Sequence, residues 1–164
     1  MRILGLDPGL ATLGWGVIEA QRGRQSLVEY GCILTRPEER FPDRLSHILR
    51  DMRDLLALYQ PDEIAFEELF FARNVTTALN VAAARGVSLA ACAEYTDKLY
   101  EYTPMQVKQA IVGYGKAEKK QIQQMVKLIL HMDHIAKPDD AADAIAIALT
   151  HAATGPAREQ FKMK

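Results

Sequence analysis

The sequence has few cysteines and no long apolar run, and each scarcity narrows the class of protein. Cys32 and Cys92 are far apart and have neither C-x-x-C nor metal-ligand spacing, which is typical of packed thiols in a reducing compartment. No run approaches 18 consecutive apolar residues, so we expect no membrane span. The first residues lack a basic stretch followed by an apolar run, so we also expect no signal peptide. Together these features predict a cytoplasmic protein.

Net charge is also nearly absent, at −1 for 164 residues, so global charge argues neither for nor against a nucleic-acid partner. The charge is nevertheless unevenly distributed. Residues 104–131 contain five lysines and one glutamate, a local net charge of +4. This region is either a solvated helix face or a patch that contacts phosphates.

The chain does have the composition of an ordinary globular protein, with 49% hydrophobic and 25% charged residues. Its length is typical of one domain with a substantial core. We expect that domain over residues 1–154 and a flexible C-terminal tail over residues 155–164.

Hydrophobic periodicity predicts an α/β protein. The first three strands form a meander joined by short, glycine-bearing turns. Predicted strands cover residues 2–7, 14–20, 26–35, 63–67 and 98–103, and predicted helices cover 45–59, 74–93, 104–112, 117–130 and 138–154. This order implies a mixed five-stranded sheet, antiparallel in its first three strands, with helices on both faces.

Acidic residues stand at the ends of elements that are otherwise apolar. Asp7 ends the first strand and Glu67 ends the fourth, and sites in helix-covered sheets form outside the carboxyl ends of strands. In the last helix, Asp143 shares a face with Asp140 at three residues and with Asp139 at four.

Each acid also has an ordinary explanation. Asp7 precedes Pro-Gly, which is common turn chemistry, and Glu67 could simply end a strand in water. Acids in the first turn of a helix complement its dipole.

Three separate elements each place an acid at an end where the acids can converge. This combination favours one shared site over three unrelated ordinary roles. Clustered carboxylates raise one another's pKa unless a cation lies among them. Oxygen ligands without Cys or His favour Mg²⁺ or Mn²⁺ over zinc. Two such ions suit in-line hydrolysis of a phosphodiester, so the sequence predicts a metal-dependent phosphodiesterase centre.

Four stretches follow one another over nearly the whole chain: ILGLDPGLATLGWGVI, EIAFEELFFARNVTTALNVAAARGV, YTPMQVKQAIVGYGKAEKKQIQQMV and DDAADAIAIALTHA. Together they resemble the bacterial RuvC Holliday junction resolvases. The resemblance implies a ribonuclease H-like fold, a homodimer and cleavage of four-way DNA junctions that depends on Mg²⁺. The chemistry of the carboxylates adds the expectation of two ions per active site, with Mn²⁺ as a substitute.

The resemblance assigns catalysis and metal binding to Asp7, Glu67, Asp140 and Asp143. Helical spacing alone would permit Asp139 in place of Asp140. The family's D-A-A-D pattern favours Asp140.

The same resemblance assigns contacts with DNA. Phe70 matches an aromatic residue that stacks on junction bases, although core packing is the usual role of a phenylalanine. Arg73 and Asn74 match phosphate or base contacts. The lysines that would contact phosphates are Lys108, Lys116, Lys119 and Lys120.

Two further assemblies follow from the resemblance. The helix over residues 74–93 resembles the family's dimer helix, where small residues allow close packing, or it packs on its own sheet. The family's usual partner is the RuvA–RuvB branch-migration complex.

Two other functions stay open. A phosphotransferase of the actin and sugar-kinase type also begins with a strand, an Asp and a glycine-bearing hairpin, but it needs two domains around its nucleotide. A non-catalytic module that binds junctions or RNA would share the fold, but it would have no use for the complete set of acids.

Overall fold

A computed structural model describes residues 1–69 and 75–164. Five strands form one mixed sheet of order β3-β2-β1-β4-β5. The strands are β1 (Arg2–Asp7), β2 (Thr12–Gln21), β3 (Arg24–Leu34), β4 (Glu63–Glu67) and β5 (Leu99–Tyr102). The β1–β2 and β2–β3 pairs are antiparallel, and the β1–β4 and β4–β5 pairs are parallel. The predicted sheet is confirmed.

Five α-helices are described, and one of them has clear capping chemistry at both ends. Their bounds are α1 (Phe41–Tyr59), α2 (Val75–Tyr95), α3 (Pro104–Val112), α4 (Lys119–Ile129) and α5 (Asp139–Thr154). Helix α3 starts with a capping box, in which Thr103 accepts from the Gln106 backbone N–H and Gln106 accepts from that of Thr103. It ends at Gly113, whose φ of 88° lies in the left-handed region.

The sheet separates two hydrophobic cores. Leu4 and Leu6 of β1 enter the core that α1 and α2 cover, whereas Ile3 enters the core of α3, α4 and α5. Because side chains alternate along a strand, Asp7 shares the face of Ile3. The first acid therefore faces α5.

Helix α5 lies unusually close to the sheet because three glycines lie beneath it. Gly5 pairs with Gly16 across the β1–β2 ladder, and Gly14 follows in register. A Cβ atom on Gly5 or Gly14 would collide with the α5 backbone. This close approach fixes where α5 begins over the sheet.

Helix α2 buries one narrow stripe, formed by Ala84, Ser88, Ala91 and Cys92. Among the described helices it alone is long and apolar enough to pass for a membrane span, which for a single helix is weak evidence. Its stripe packs into the core that also holds α1.

The C-terminal segment, where the sequence predicts a flexible tail, contacts the rest of the domain. Residues Gly155–Phe161 form a 3₁₀ helix, and the Phe161 ring lies 4.9 Å from that of Tyr102. The Nε of Arg158 lies 3.0 Å from Oε2 of Glu63. These partners are distant in sequence, so local composition did not indicate that the segment packs.

Candidate active site

Asp7 and Glu67 project from neighbouring parallel strands. The last β1–β4 pair joins Leu6 to Phe66, so the two acids follow at the same edge of the sheet. Ala65, two residues before Glu67, belongs to the α5-side core, which places Glu67 on the same face as Asp7. The two carboxyl groups hydrogen-bond to each other.

The first turn of α5 brings Asp140 and Asp143 to the same place. Gly14 lies opposite Asp7, and the main-chain oxygen of Asp140 occupies the space where a Gly14 Cβ would lie. The charges of both α5 acids act on Asp7. The structure thus brings together the four acids that the sequence singled out.

We call Asp7, Glu67, Asp140 and Asp143 the carboxylate cluster. Its negative charges repel one another and are not fully balanced by positive charge. Burial, followed by the charges of Glu67, Asp143 and Asp140, raises the pKa of Asp7 to about 8. Burial and the neighbouring carboxylates thus favour the protonated form of Asp7.

Glu67 and Asp143 are shifted in the same direction. Burial and then the charge of Asp143 raise the pKa of Glu67, against the lowering effects of Asp7 and Lys119. Burial also raises the pKa of Asp143, although its hydrogen bond to Lys119 opposes the shift. An added cation would relieve the repulsion that all of these groups share.

A lysine already supplies one positive charge. The Nζ of Lys119 donates to Oδ2 of Asp143 at 2.8 Å and lies 3.6 Å from Oδ2 of Asp139. Burial alone would lower the pKa of Lys119, but its hydrogen bond and the nearby carboxylates raise it. The ammonium group lies where a cation is electrostatically favoured.

Asp139 has different partners from Asp140. Its Oδ1 accepts from Lys137 at 3.3 Å and from Gln123 at 3.1 Å. These hydrogen bonds, together with the charge of Lys119, lower the pKa of Asp139. The charge of Asp140 raises the pKa of Asp7, whereas Asp139 is not among the groups that shift it. The geometry therefore favours Asp140 as the member of the cluster.

The donor set fits a hard divalent cation. It consists of carboxylate oxygens that are partly buried and mutually repelling, which is the ligand chemistry of Mg²⁺ and Mn²⁺. In the described conformation, with Lys119 against Asp143, no three Asp, Glu, His or Cys side chains of residues 1–69 and 75–164 are arranged to hold a metal.

Two of the predicted lysines lie beside the cluster. Lys108 and Lys119 line a cavity of about 230 Å³ together with Glu67 and Asp143. Lys116 and Lys120 are exposed nearby along the chain. The structure thus places the basic region 104–131 beside the acids at Lys108 and Lys119.

Three residues predicted to contact DNA, Phe70, Arg73 and Asn74, lie outside the described residues. Their roles stay predictions.

The sequence analysis missed the glycine that positions an acid of the cluster. Gly14 lets the backbone at Asp140 approach the sheet. The closely spaced glycines of β1 and β2 were the signal that could have predicted this close approach. Cys32, paired with Gly14 across the β2–β3 ladder, also lies near Asp140. Burial and then the Asp140 charge raise the pKa of the Cys32 thiol to about 11, so it stays protonated.

A five-stranded mixed sheet that carries acids on two central strands and on the helix across them defines a ribonuclease H-like nuclease. The family model for "Crossover junction endodeoxyribonuclease RuvC" matches residues 3–151. The chain belongs to the RuvC family.

Individual relatives agree over nearly the whole chain. The crossover junction endodeoxyribonuclease RuvC of Finegoldia magna is 51% identical over 151 residues, which are 92% of each chain. The solved structure of Thermus thermophilus RuvC has a TM-score of 0.88 at 36% identity, covering 98% of both chains. The T. thermophilus RuvC in complex with a Holliday junction substrate has a TM-score of 0.86 at 35% identity, covering 94% of both chains.

Proposed function

We propose that this chain resolves four-way DNA junctions as a homodimer, with each protomer nicking one of two opposing strands by metal-dependent hydrolysis. The observation that carries the proposal is the convergence of Asp7, Glu67, Asp140 and Asp143 at one sheet edge, in a chain of this family. Two-fold symmetry of the junction matches the symmetry of a C₂ dimer, which favours paired nicks over a single cut.

The four acids would hold the metal ions. The nucleases of this family are metal-dependent, and the hard oxygen donors here favour two Mg²⁺ ions, with Mn²⁺ as a substitute. When bound, such ions activate a water molecule and stabilise the leaving oxygen of an in-line displacement.

The side chains of the protein supply placement and charge control. Asp7 must be ionised before it and Glu67 can both act as metal ligands. Lys119 must release the Asp143 carboxylate before Asp143 can act as a metal ligand. The Lys119 ammonium group is then free to pair with a DNA phosphate, whose negative charge replaces that of Asp143 as its partner.

The remaining DNA contacts are proposed from position in the chain. Lys108 borders the cluster and Lys116 and Lys120 extend the basic surface, so these lysines would hold the backbone without reading sequence. Phe70 would stack on an unpaired base, which is worth about 1–3 kcal/mol, and Arg73 and Asn74 would contact the adjacent strand.

The dimer is proposed on α2. Its N-terminal turns expose Val75 and Leu79 by 71% and 65%, and small residues follow along the helix, so a second copy could approach closely. The cytoplasm as the location and the RuvA–RuvB complex as a further partner complete the proposal.

A panel of substrates tests the function. Purified protein is incubated with a synthetic four-way junction, a linear duplex of the same sequence, and ATP, each with and without Mg²⁺. We expect paired, symmetric nicks in the junction with Mg²⁺ only, and little cutting of the duplex. ATP hydrolysis without junction cleavage would instead support a phosphotransferase, and tight junction binding without cleavage would support a non-catalytic module.

A further inference from the structure

Arg85 of α2 reaches the end of β4 from the face opposite the carboxylate cluster. Its side chain is only 15% exposed, and its Nη2 lies 2.7 Å from Oε2 of Glu101. The guanidinium carbon lies 5.7 Å from the centre of the Phe66 ring. Its Nε donates a long hydrogen bond of 3.5 Å to the main-chain oxygen of Glu67. The Arg85 guanidinium group therefore contacts Phe66 and Glu67, the last two residues of β4, and also Glu101 on the neighbouring strand β5.

The strand register explains this arrangement. Phe66 pairs with Glu101 across the β4–β5 ladder, and Phe66 belongs to the core on the α2 side. The next residue, Glu67, turns its carboxylate to the other face by strand alternation. The β1–β4 ladder ends at Phe66, so Arg85 supplies a donor to the carbonyl group just beyond that ladder.

The position of Glu67 depends on the end of β4, where the β1–β4 ladder has already stopped at Phe66. A strand end that was free to shift would carry the Glu67 carboxylate away from the other acids of the cluster. A largely buried arginine is well suited to oppose that movement, since its contacts with Glu101 and the Phe66 ring fix the side chain beside the carbonyl group of Glu67.

We propose that Arg85 is a positioning residue for Glu67, held in place by Glu101 and the Phe66 ring. This inference rests on the proposed function, because it takes Glu67 as a metal-binding acid. Misplacement of a reacting group by about 1 Å can cost about 100-fold in rate, so a small shift of the strand end has a measurable consequence.

The chain offers a matched control. Arg53 of α1 pairs with Glu94 of α2 through Nη2 and Oε2 at 2.8 Å, with side-chain exposures of 54% and 62%. This arginine–glutamate pair also involves α2, but it contacts no part of β4 that is described. Loss of an exposed pair of this kind has little effect on stability.

The test uses Arg85→Gln, Glu101→Ala and Arg53→Gln in the full chain. Three quantities are measured for each variant: Mn²⁺ affinity of the metal-free protein by titration, junction affinity without metal, and the single-turnover rate of junction cleavage at saturating DNA and Mg²⁺. Melting temperatures define the range in which every variant is folded.

We expect Arg85→Gln and Glu101→Ala to slow cleavage about 10- to 100-fold and to weaken Mn²⁺ binding, with junction affinity within about twofold of wild type. Arg53→Gln should match wild type throughout. A purely structural role would lower the melting temperature but leave the Mn²⁺ affinity of the folded protein unchanged.

The proposal is overturned if the wild type cleaves and both variants keep its rate and Mn²⁺ affinity within about twofold. If Arg85→Gln does not fold, Glu101→Ala decides alone, because its side chain is 39% exposed and its loss should be tolerated. A wild type that binds Mn²⁺ but cleaves no junction refutes the proposed function, and the Mn²⁺ titrations of the variants still test the placement of Glu67.

Discussion

Asp7 lies directly opposite Gly14 in the antiparallel β1–β2 ladder. Because Gly14 lacks a side chain, the main-chain oxygen of Asp140 can rest against it. The first strand and the last helix, separated by more than a hundred residues of sequence, thus place their acids side by side through one backbone contact.

Gly14→Ala should disturb this contact. The added Cβ would collide with the backbone at Asp140 and Ala141, so the start of α5 must move away from Asp7. We expect a loss of about 1–3 kcal/mol in the free energy of unfolding and a fall in cleavage rate larger than the fraction unfolded explains. Urea unfolding and single-turnover cleavage measure the two effects.

Gly86→Ala is the control for that substitution. Outside its own helix turn, a Cβ there meets no atom of the described residues within 4 Å, and alanine is favoured over glycine in a helix by about 0.5–1 kcal/mol. It should therefore keep or raise monomer stability. Equal stability and activity of Gly14→Ala and wild type would show that α5 does not depend on the close approach.

Asp140→Asn and Asp139→Asn should differ in activity. Asp140 acts on Asp7 within the cluster, whereas Asp139 is held by Lys137 and Gln123. We expect Asp140→Asn to be inactive and Asp139→Asn to stay within a few-fold of wild type in junction cleavage. The reverse result would mean that the metal-facing side of α5 has been assigned one residue out of register.

The metal-free protein should lose stability as pH rises. The pKa of Asp7 is raised from 3.8 to about 8 on folding, so the unfolded chain releases this proton at lower pH than the folded chain does. The stability associated with the protonated Asp7 is complete below about pH 4 and is lost progressively as pH rises through about 8. Melting temperatures in EDTA measure the effect.

Asp7→Asn removes that titration. Its melting temperature in EDTA should approach that of wild type near pH 4 and exceed it increasingly towards about pH 8. Added Mg²⁺ should then stabilise wild type more than the variant, because ligand binding to the folded state alone stabilises it. Parallel pH curves for the two proteins would mean that Asp7 titrates normally.

The proposed phosphate contacts of the lysines predict how junction affinity depends on salt concentration. Lys108→Ala and Lys119→Ala should each weaken junction binding and reduce the slope of log K against log salt by about 0.9, since each neutralises about one phosphate. Lys98→Ala, which changes an exposed lysine just before β5, is the control. If the Lys108 and Lys119 variants bind like the control, these lysines form a solvated face.

Much of the fold could be predicted from the sequence because its signals are local. The β1 and β4 bounds, the Pro104 start of α3 and the stop of α1 before Pro61 all follow from periodicity, capping and proline. The convergence of the acids followed from the rule that sites form beyond the carboxyl ends of strands.

The parts that could not be predicted depend on contacts between distant residues. Buried His151 bonds to Tyr102 at 2.8 Å and to Glu63 at 2.7 Å, yet nothing in the spacing of the histidines assigned it a partner. The packing of Phe161 depends in the same way on Tyr102. Helical spacing left Asp139 and Asp140 open, and the D-A-A-D pattern favoured Asp140; the partners of Asp139, Lys137 and Gln123, could not be predicted from spacing.

The most direct measurement is single-turnover cleavage of a synthetic four-way junction in Mg²⁺ by wild type, Asp7→Asn and Glu67→Gln, with junction binding measured in parallel. If the carboxylate cluster is the nuclease centre, wild type makes paired symmetric nicks. Both variants then bind the junction at least as tightly as wild type, because negative charge near phosphate has been removed, and cut no strand. Cleavage at the wild-type rate by either variant would contradict the assignment of the centre.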